Sequence, residues 1–426
     1  MRVRRRRPAR GPRWLLTGGV LTVAVIALLG APNAGPGGNA GPEAARIHAE
    51  LERWWGGPAY YAKFPRAVAS GWTRPDFFPI AVFFGPPQQA PRLAALGINT
   101  YMGAEHEPPI STITRTGISV IASTDWTPAE VGDDNRVVGW HISDECEMGS
   151  YWCASKDEHV RVEKQRSFAD QARALHDGRF LQANFGSGVL GTWWAPTTMD
   201  DHLALVDVSS VDEYARTSPG VRDLIRDSPA WPPGADPASA SAYGWLQDRM
   251  ETFNTPAASK PNWVFVEVAR PYLTDDGART ITAAEIGGSV WSALIHGAAG
   301  IAYFQHNNDP SCGNYALVDC GATRADAVKT IDAEVRALAP VLNSQPYRWQ
   351  FGPGLQTSLR SWEGHAYVLA MTSGGTGERT FRLPPGVNGA AVEVVGEHRT
   401  IRVSHGRFSD TFATADTHHV YRVALA

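Results

Sequence analysis

The chain has 426 residues, too many for one small domain and enough for a barrel of about 250 residues with a smaller unit beside it. With 43% hydrophobic and 19% charged residues it can bury a sizeable core, which excludes a largely disordered chain. A net charge of −4 gives no general reason to expect nucleic acid as a partner, and the one strong basic run, Arg4–Arg7, has another explanation.

That explanation is export. Met1–Arg13 is densely positive, Trp14–Leu29 is apolar, and Ala31–Pro42 is rich in small residues and proline. This is the layout of a signal peptide followed by a Gly/Pro linker over residues 1–42. An uncleaved membrane anchor is the alternative, although sixteen apolar residues fall short of the ~20 that span a bilayer comfortably.

Glu43–Phe64 reads as a partly helical lead-in carrying Trp54, Trp55, Tyr60 and Tyr61. From Pro79 onward short apolar runs alternate with helical stretches. The expected strands are Ile80–Phe84, Asn99–Met102, Ser119–Ser123, Val137–Ser143, Phe180–Asn184, Val206–Ser210, Val264–Val268 and Gly300–Phe304. The expected helices are Ala90–Leu96, Glu158–Leu175, Ala240–Phe253, Ala283–His296 and Ala325–Leu338, with single turns in the second, third and fifth connections. Eight βα units with strands apolar on both faces predict a closed (β/α)₈ barrel over residues 43–344. Gly85-Pro86-Pro87 stands where an open, doubly wound sheet would carry a Gly-rich phosphate loop. From Gln345 the pattern changes to period two, with strands expected at His365–Thr372, Arg379–Leu383, Ala391–Val395, Thr400–Val403, Phe408–Phe412 and His418–Val423. That predicts a small antiparallel β-sandwich over residues 345–426.

Four cysteines fall as two close pairs, Cys146/Cys153 and Cys312/Cys320. In an oxidising compartment these read as two loop-stapling disulfides; neither pair has the C-x-x-C spacing of a zinc site.

In such a barrel the reactive groups belong at the C-terminal ends of the strands, where the βα loops form the concave face. The fourth strand ends in Asp144-Glu145, and by alternation Glu145, Ser143 and His141 share one side while Asp144 points nearer to the other side or into the loop. The seventh holds a lone Glu267 in an apolar run. A buried lone carboxylate is costly unless it is hydrogen-bonded or has a task. Two carboxylates facing each other across a barrel suit glycoside cleavage, with one acid for the leaving oxygen and one carboxylate for the opposite face of the anomeric carbon. A separation of ~5–5.5 Å would give retention of configuration. The plainer alternative is structural, with Glu145 in a salt bridge and Glu267 paired to an arginine such as Arg270. Further polar and aromatic residues end the other strands: Asp125 and Trp126, Asn184, Asp212 with Glu213 and Tyr214, and Gln305-His306-Asn307. Together they supply the hydrogen bonds and ring faces that sugar recognition uses. Trp152 and Trp193-Trp194 lie in βα loops as stacking platforms or as buried loop anchors. His141 and His306 do not form the closely spaced histidines of a metal-dependent barrel hydrolase, and no G-x-S-x-G elbow follows a strand.

The pattern resembles the clan of retaining glycoside hydrolases built on a (β/α)₈ barrel, in which two glutamates end strands four and seven. The resemblance runs from about Pro79 to Leu342, and the stretches Phe78–Phe83 and Val290–Phe304 look like the first strand, seventh helix and eighth strand of bacterial relatives. It implies Glu145 as acid/base, Glu267 as nucleophile, and Tyr214 as the tyrosine that hydrogen-bonds the nucleophile. The sequence departs from the clan at Asp144, where asparagine is usual, and at Phe304-Gln305-His306, where a tryptophan platform is common. The function implied is an exported, monomeric retaining glycosidase that acts on a polysaccharide or oligosaccharide without metal or organic cofactor. It would touch a membrane only through an uncleaved N-terminal helix. A non-catalytic glycan-binding barrel and a transglycosylase are the alternatives.

Overall fold

The computed structural model describes residues 47–425 apart from 192–193, 256–258 and 273–274, so the expected export segment and Trp193 lie outside the described residues. The described residues fall within one compact unit. Among them no helix is long and apolar enough to cross a membrane.

Eight parallel strands close into a barrel: β1 (Ile80–Gly85), β2 (Thr100–Ala104), β3 (Ser119–Ser123), β4 (Val137–Asp144), β5 (Phe180–Phe185), β6 (Val208–Val211), β7 (Asn262–Glu267) and β8 (Ile301–Phe304). Ala81 pairs with Ala302, which joins β1 to β8 and leaves no free edge. The helices of the barrel include α1 (Ala90–Leu96), α2 (Glu158–Arg173), α3 (Ser241–Glu251), α4 (Ala283–Ile295) and α5 (Ala322–Ala337). Among the described residues the second and third connections hold only the short turns Ser111–Thr114 and Pro128–Val131, and the fifth holds the short turns Ser187–Leu190 and Met199–Leu203. An additional helix, Pro219–Arg226, follows β6.

Strand alternation divides the core. Val82, Val120, Val264, Val266 and Tyr303 point outward and pack with Leu93 of α1, Leu246 of α3 and Val290 of α4. Phe83, Met102, Ile121, Val138, Phe180, Trp263 and Phe265 point inward and meet Trp54 and Tyr61 of the lead-in and Trp72, which follows it before β1. The lead-in and Trp72 therefore plug the N-terminal end of the barrel. Trp72 lies 6.0 Å from Trp263 in a stacked arrangement and donates to Ser119 Oγ at 3.0 Å.

The C-terminal region forms a seven-stranded antiparallel sheet and a two-stranded one, Gly377–Arg382 with Arg407–Phe412. Phe381, Phe408, Phe412 and Tyr421 anchor the core between them. Three of its strands, Glu50–Leu51, Tyr347–Arg348 and Leu355–Trp362, were not expected. Glu50–Leu51 of the lead-in forms an edge strand against Tyr347–Arg348, and Leu355–Trp362 pairs with His365–Thr372 along its whole length.

Trp72 is fully buried in the plug. Trp72→Ala is expected to cost about 3–5 kcal/mol of unfolding free energy in a urea titration, and a loss below about 1 kcal/mol would contradict this role.

Candidate active site

The interior of the barrel becomes polar toward the C-terminal ends of β4, β5 and β6. His141 pairs in register with Gln182, and Asn184 pairs with Asp144 on one side and Ser210 on the other. The side chains follow that register. Gln182 Oε1 lies 2.6 Å from His141 Nδ1, Gln182 Nε2 donates to Ser210 Oγ at 2.9 Å, and Ser210 Oγ donates to Asn184 Oδ1 at 2.7 Å. Asn184 Nδ2 then donates to Asp144 at 3.0 Å and to Asp212 at 2.7 Å. One amide thus holds two carboxyl groups.

Strict alternation on β4 fails at this level. The register with β5 shifts between His141 and Ser143, so Ile142 is an extra residue and Asp144 faces inward with His141 instead of away from it. Glu145 follows in a left-handed conformation (φ 48°), with its amide donating to Asn184 O at 3.0 Å. The bulge and the turn bring both acidic side chains to one cavity. Gly186 makes room for the second: a Cβ there would stand 2.6 Å from Glu145 Oε1.

The cavity has a volume of about 520 Å³ and opens among the βα loops. Of the residues expected at a site, Glu145, Asp144, Asp125, Asp212, Tyr214 and His306 line it. Phe84, His141, Ser150, Trp152 and Tyr272 line it too. Asn184 stands behind Asp144 and Asp212. Trp126 is buried with its indole nitrogen donating to Ala104 O at 3.3 Å, so it anchors a loop instead of contacting a ligand.

Glu267 ends β7 as expected but does not line the cavity, and it is fully buried. Its carboxylate accepts from Thr217 Oγ1 at 3.2 Å and from the Tyr243 hydroxyl. The donating tyrosine is therefore Tyr243 of α3, in place of the expected Tyr214. Nor is Arg270 its partner. Arg216 supplies the positive charge that acts on it. The cavity wall on this side is made by Tyr214, Tyr272 and Phe304, the last paired in register with Glu267. Burial raises Glu267 above the usual carboxylate range, opposed by the Tyr243 hydrogen bond, Arg216 and Thr217.

Arg216 in turn reaches the C-terminal region. Its guanidinium pairs with Asp416 at 2.6 Å and with Glu285 at 3.6 Å. Gly288 of α4 permits the approach, since a Cβ there would lie 2.3 Å from Asp416 Oδ1.

The carboxyl groups at the mouth shape one another's charge. Burial, then the charges of Asp212, Asp144, Glu147 and Glu213, push Glu145 up to about 10. Burial raises Glu147 to about 8 against a 2.7 Å hydrogen bond from the Gly186 amide, and raises Glu213 to about 8 against one from Ser187. Asp212 rises to about 7, by burial and then by Asp144. At neutral pH Glu145 is a proton donor, with Asp212 partly ionised beside it. Burial holds His306 below its ordinary value, so its ring is neutral. Among the described residues no cluster of three or more His, Cys, Asp or Glu side chains is arranged to hold a metal ion.

Both expected disulfides are formed, Cys146–Cys153 and Cys312–Cys320. The first begins at the residue after Glu145.

These buried acids make stability depend on pH. Below about pH 4 the carboxyls are protonated whether the chain is folded or not. As pH rises, the unfolded chain releases its protons first, while Glu147 and Glu213 keep theirs until about pH 8. Their contribution is thus full below about pH 4 and lost as pH rises through about 8. The melting temperature should fall between about pH 5 and pH 9, and Glu147→Gln should flatten that fall. An unchanged slope in the variant would contradict the assignment.

No protein-family profile matches the chain, and no curated protein sequence matches it. Solved structures do. One, described as a glycoside hydrolase, is similar over 82% of this chain and 93% of its own, with a TM-score of 0.51 and 11% identity. A glycoside hydrolase of family 5 from Bacteroides vulgatus is similar over 82% of this chain and 89% of its own, with a TM-score of 0.50 and 11% identity. At that identity the likeness is one of fold: the barrel followed by a β-region is an architecture this chain shares with glycoside hydrolases.

Proposed function

We propose that the chain is an exported glycoside hydrolase acting on a glycan outside the membrane, with Glu145 as its acid/base. The observation that carries this reading is a carboxyl group kept protonated at neutral pH, on the wall of an open cavity, beside other carboxylates on the same wall. Export is supported by the signal-like N-terminus and by two disulfides, which persist in oxidising compartments. Residues 1–42 are assigned to export and linker, 43–344 to the catalytic barrel and 345–426 to the appended β-sandwich. The enzyme needs no cofactor and works as a monomer.

In the retaining form of this reading Glu145 protonates the departing oxygen while Glu267 attacks the anomeric carbon. Glu145 then takes a proton from water, which releases the sugar. Tyr243 and Thr217 orient the Glu267 carboxylate from behind, and Arg216 favours its ionised form. Attack requires the wall of Tyr214, Tyr272 and Phe304 to open, because Glu267 does not line the cavity.

A second reading gives the ionised role to Asp212. It lines the cavity, feels Glu145 directly, and is fixed by Asn184. Hydrolysis of a broad glycan panel, with the anomeric form of the product followed by NMR, separates the two. Glu145→Gln should lower kcat by about 100-fold or more in either case. Azide should restore turnover to Glu267→Ala if Glu267 is the nucleophile, and to Asp212→Ala if Asp212 is. A panel from which the intact protein releases no product overturns the hydrolase reading and leaves a glycan-binding barrel.

A further inference from the structure

The loop that carries the proposed acid also carries an exposed tryptophan. Among the described residues five large apolar side chains are exposed, Leu51, Val68, Trp152, Val160 and Leu175. Trp152 is the one aromatic in the group, is 71% exposed, and alone of the five lines the cavity. An indole left in water gives up the free energy of burial.

Its loop holds it there. The Cys146–Cys153 bridge closes the segment with its Cα atoms 5.1 Å apart. Inside it the Glu145 carbonyl accepts from the amides of Met148 (3.0 Å) and Ser150 (3.3 Å) and from Ser150 Oγ (3.1 Å). Cys153 N donates to Ser150 O at 2.9 Å, and just beyond the bridge Arg161 donates to Ser155 O and Lys164 to Ala154 O, both at 2.9 Å. The backbone on both sides of Trp152 is fixed, so the ring is presented without a large ordering cost when a ligand arrives.

We infer that Trp152 is a stacking platform for a sugar ring on the leaving-group side of the scissile bond, so that the substrate is an oligosaccharide or polysaccharide cut between two sugars. The inference rests on Glu145 being the acid. A proton donor must lie against the departing oxygen, and the group bearing that oxygen then lies over the loop that continues from Glu145. A pyranose has one face lined by C–H groups, which packs on an indole, and a rim of hydroxyls. Asp125, which also lines the cavity, offers a carboxylate to that rim.

The test uses the full chain carrying Glu145→Gln, which binds without turnover. Cello-, xylo-, malto- and chito-oligosaccharides of increasing length, with their monosaccharides, are titrated by calorimetry, alone and with Trp152→Ala or Trp152→Phe added. The expected result is that one series binds, that its longer members lose about tenfold in affinity in the Ala variant and less in the Phe variant, and that the monosaccharide is unaffected. Melting temperatures report folding, and Trp152→Phe keeps a ring in place should Trp152→Ala fail to fold. A series that binds all three proteins equally overturns the platform and leaves the glycosidase reading standing. A panel in which nothing binds overturns both.

Discussion

Asn184 can donate only two side-chain hydrogen bonds, and both go to acids, Asp144 on β4 and Asp212 on β6. The rest of the site follows from packing acidic groups around that amide at the mouth of a closed barrel. Carboxylates brought together out of water cannot all ionise, so the one most crowded by the others keeps its proton longest. Here that group is Glu145, held neutral first by burial and then by the charges of its acidic neighbours, Asp212 and Asp144 foremost. The barrel can carry this cost because the same strands bury apolar residues on both faces below, and Trp54 and Trp72 seal the opposite end.

The two glutamates at the ends of β4 and β7 occupy unlike surroundings. Glu145 faces open space and is neutral. Glu267 is enclosed, with its oxygens engaged by Tyr243 and Thr217 and with Arg216 near it. Arg216 also binds Asp416, which lies between two strands of the C-terminal region. The β-region is thereby tied to the loop that encloses Glu267, a link from the appended sheets to the interior of the barrel. The surroundings of Glu267 thus depend on contacts drawn from both parts of the chain.

Much of this was legible in the sequence. The barrel strands are apolar on both faces and bounded by loops, so their number and order follow from the pattern, and the acids at their ends stand out against it. The bulge at Ile142 was not legible, because alternation assumes equal numbers of residues on paired strands; it moved Asp144 to the inner face. The enclosure of Glu267 depends on Tyr243 and Thr217, 24 and 50 positions away, and neither sits at a strand end. Leu355–Trp362 escaped notice because Gln356, Ser358 and Arg360 are buried, with Arg360 donating to Leu342 O at 2.7 Å. A strand with polar residues on a buried face does not read as alternating. The two-residue strand at Glu50 is shorter than any periodicity can register.

The protonation of Glu145 is the claim most open to direct measurement. Infrared difference spectra between the intact protein and its Glu145→Gln variant, recorded across the pH range, isolate the carboxyl stretch of that one side chain. The account predicts a protonated carboxyl band at neutral pH that disappears only well into the alkaline range. A carboxylate band already present at about pH 6 would show that the neighbouring acids do not hold the proton, and would contradict it.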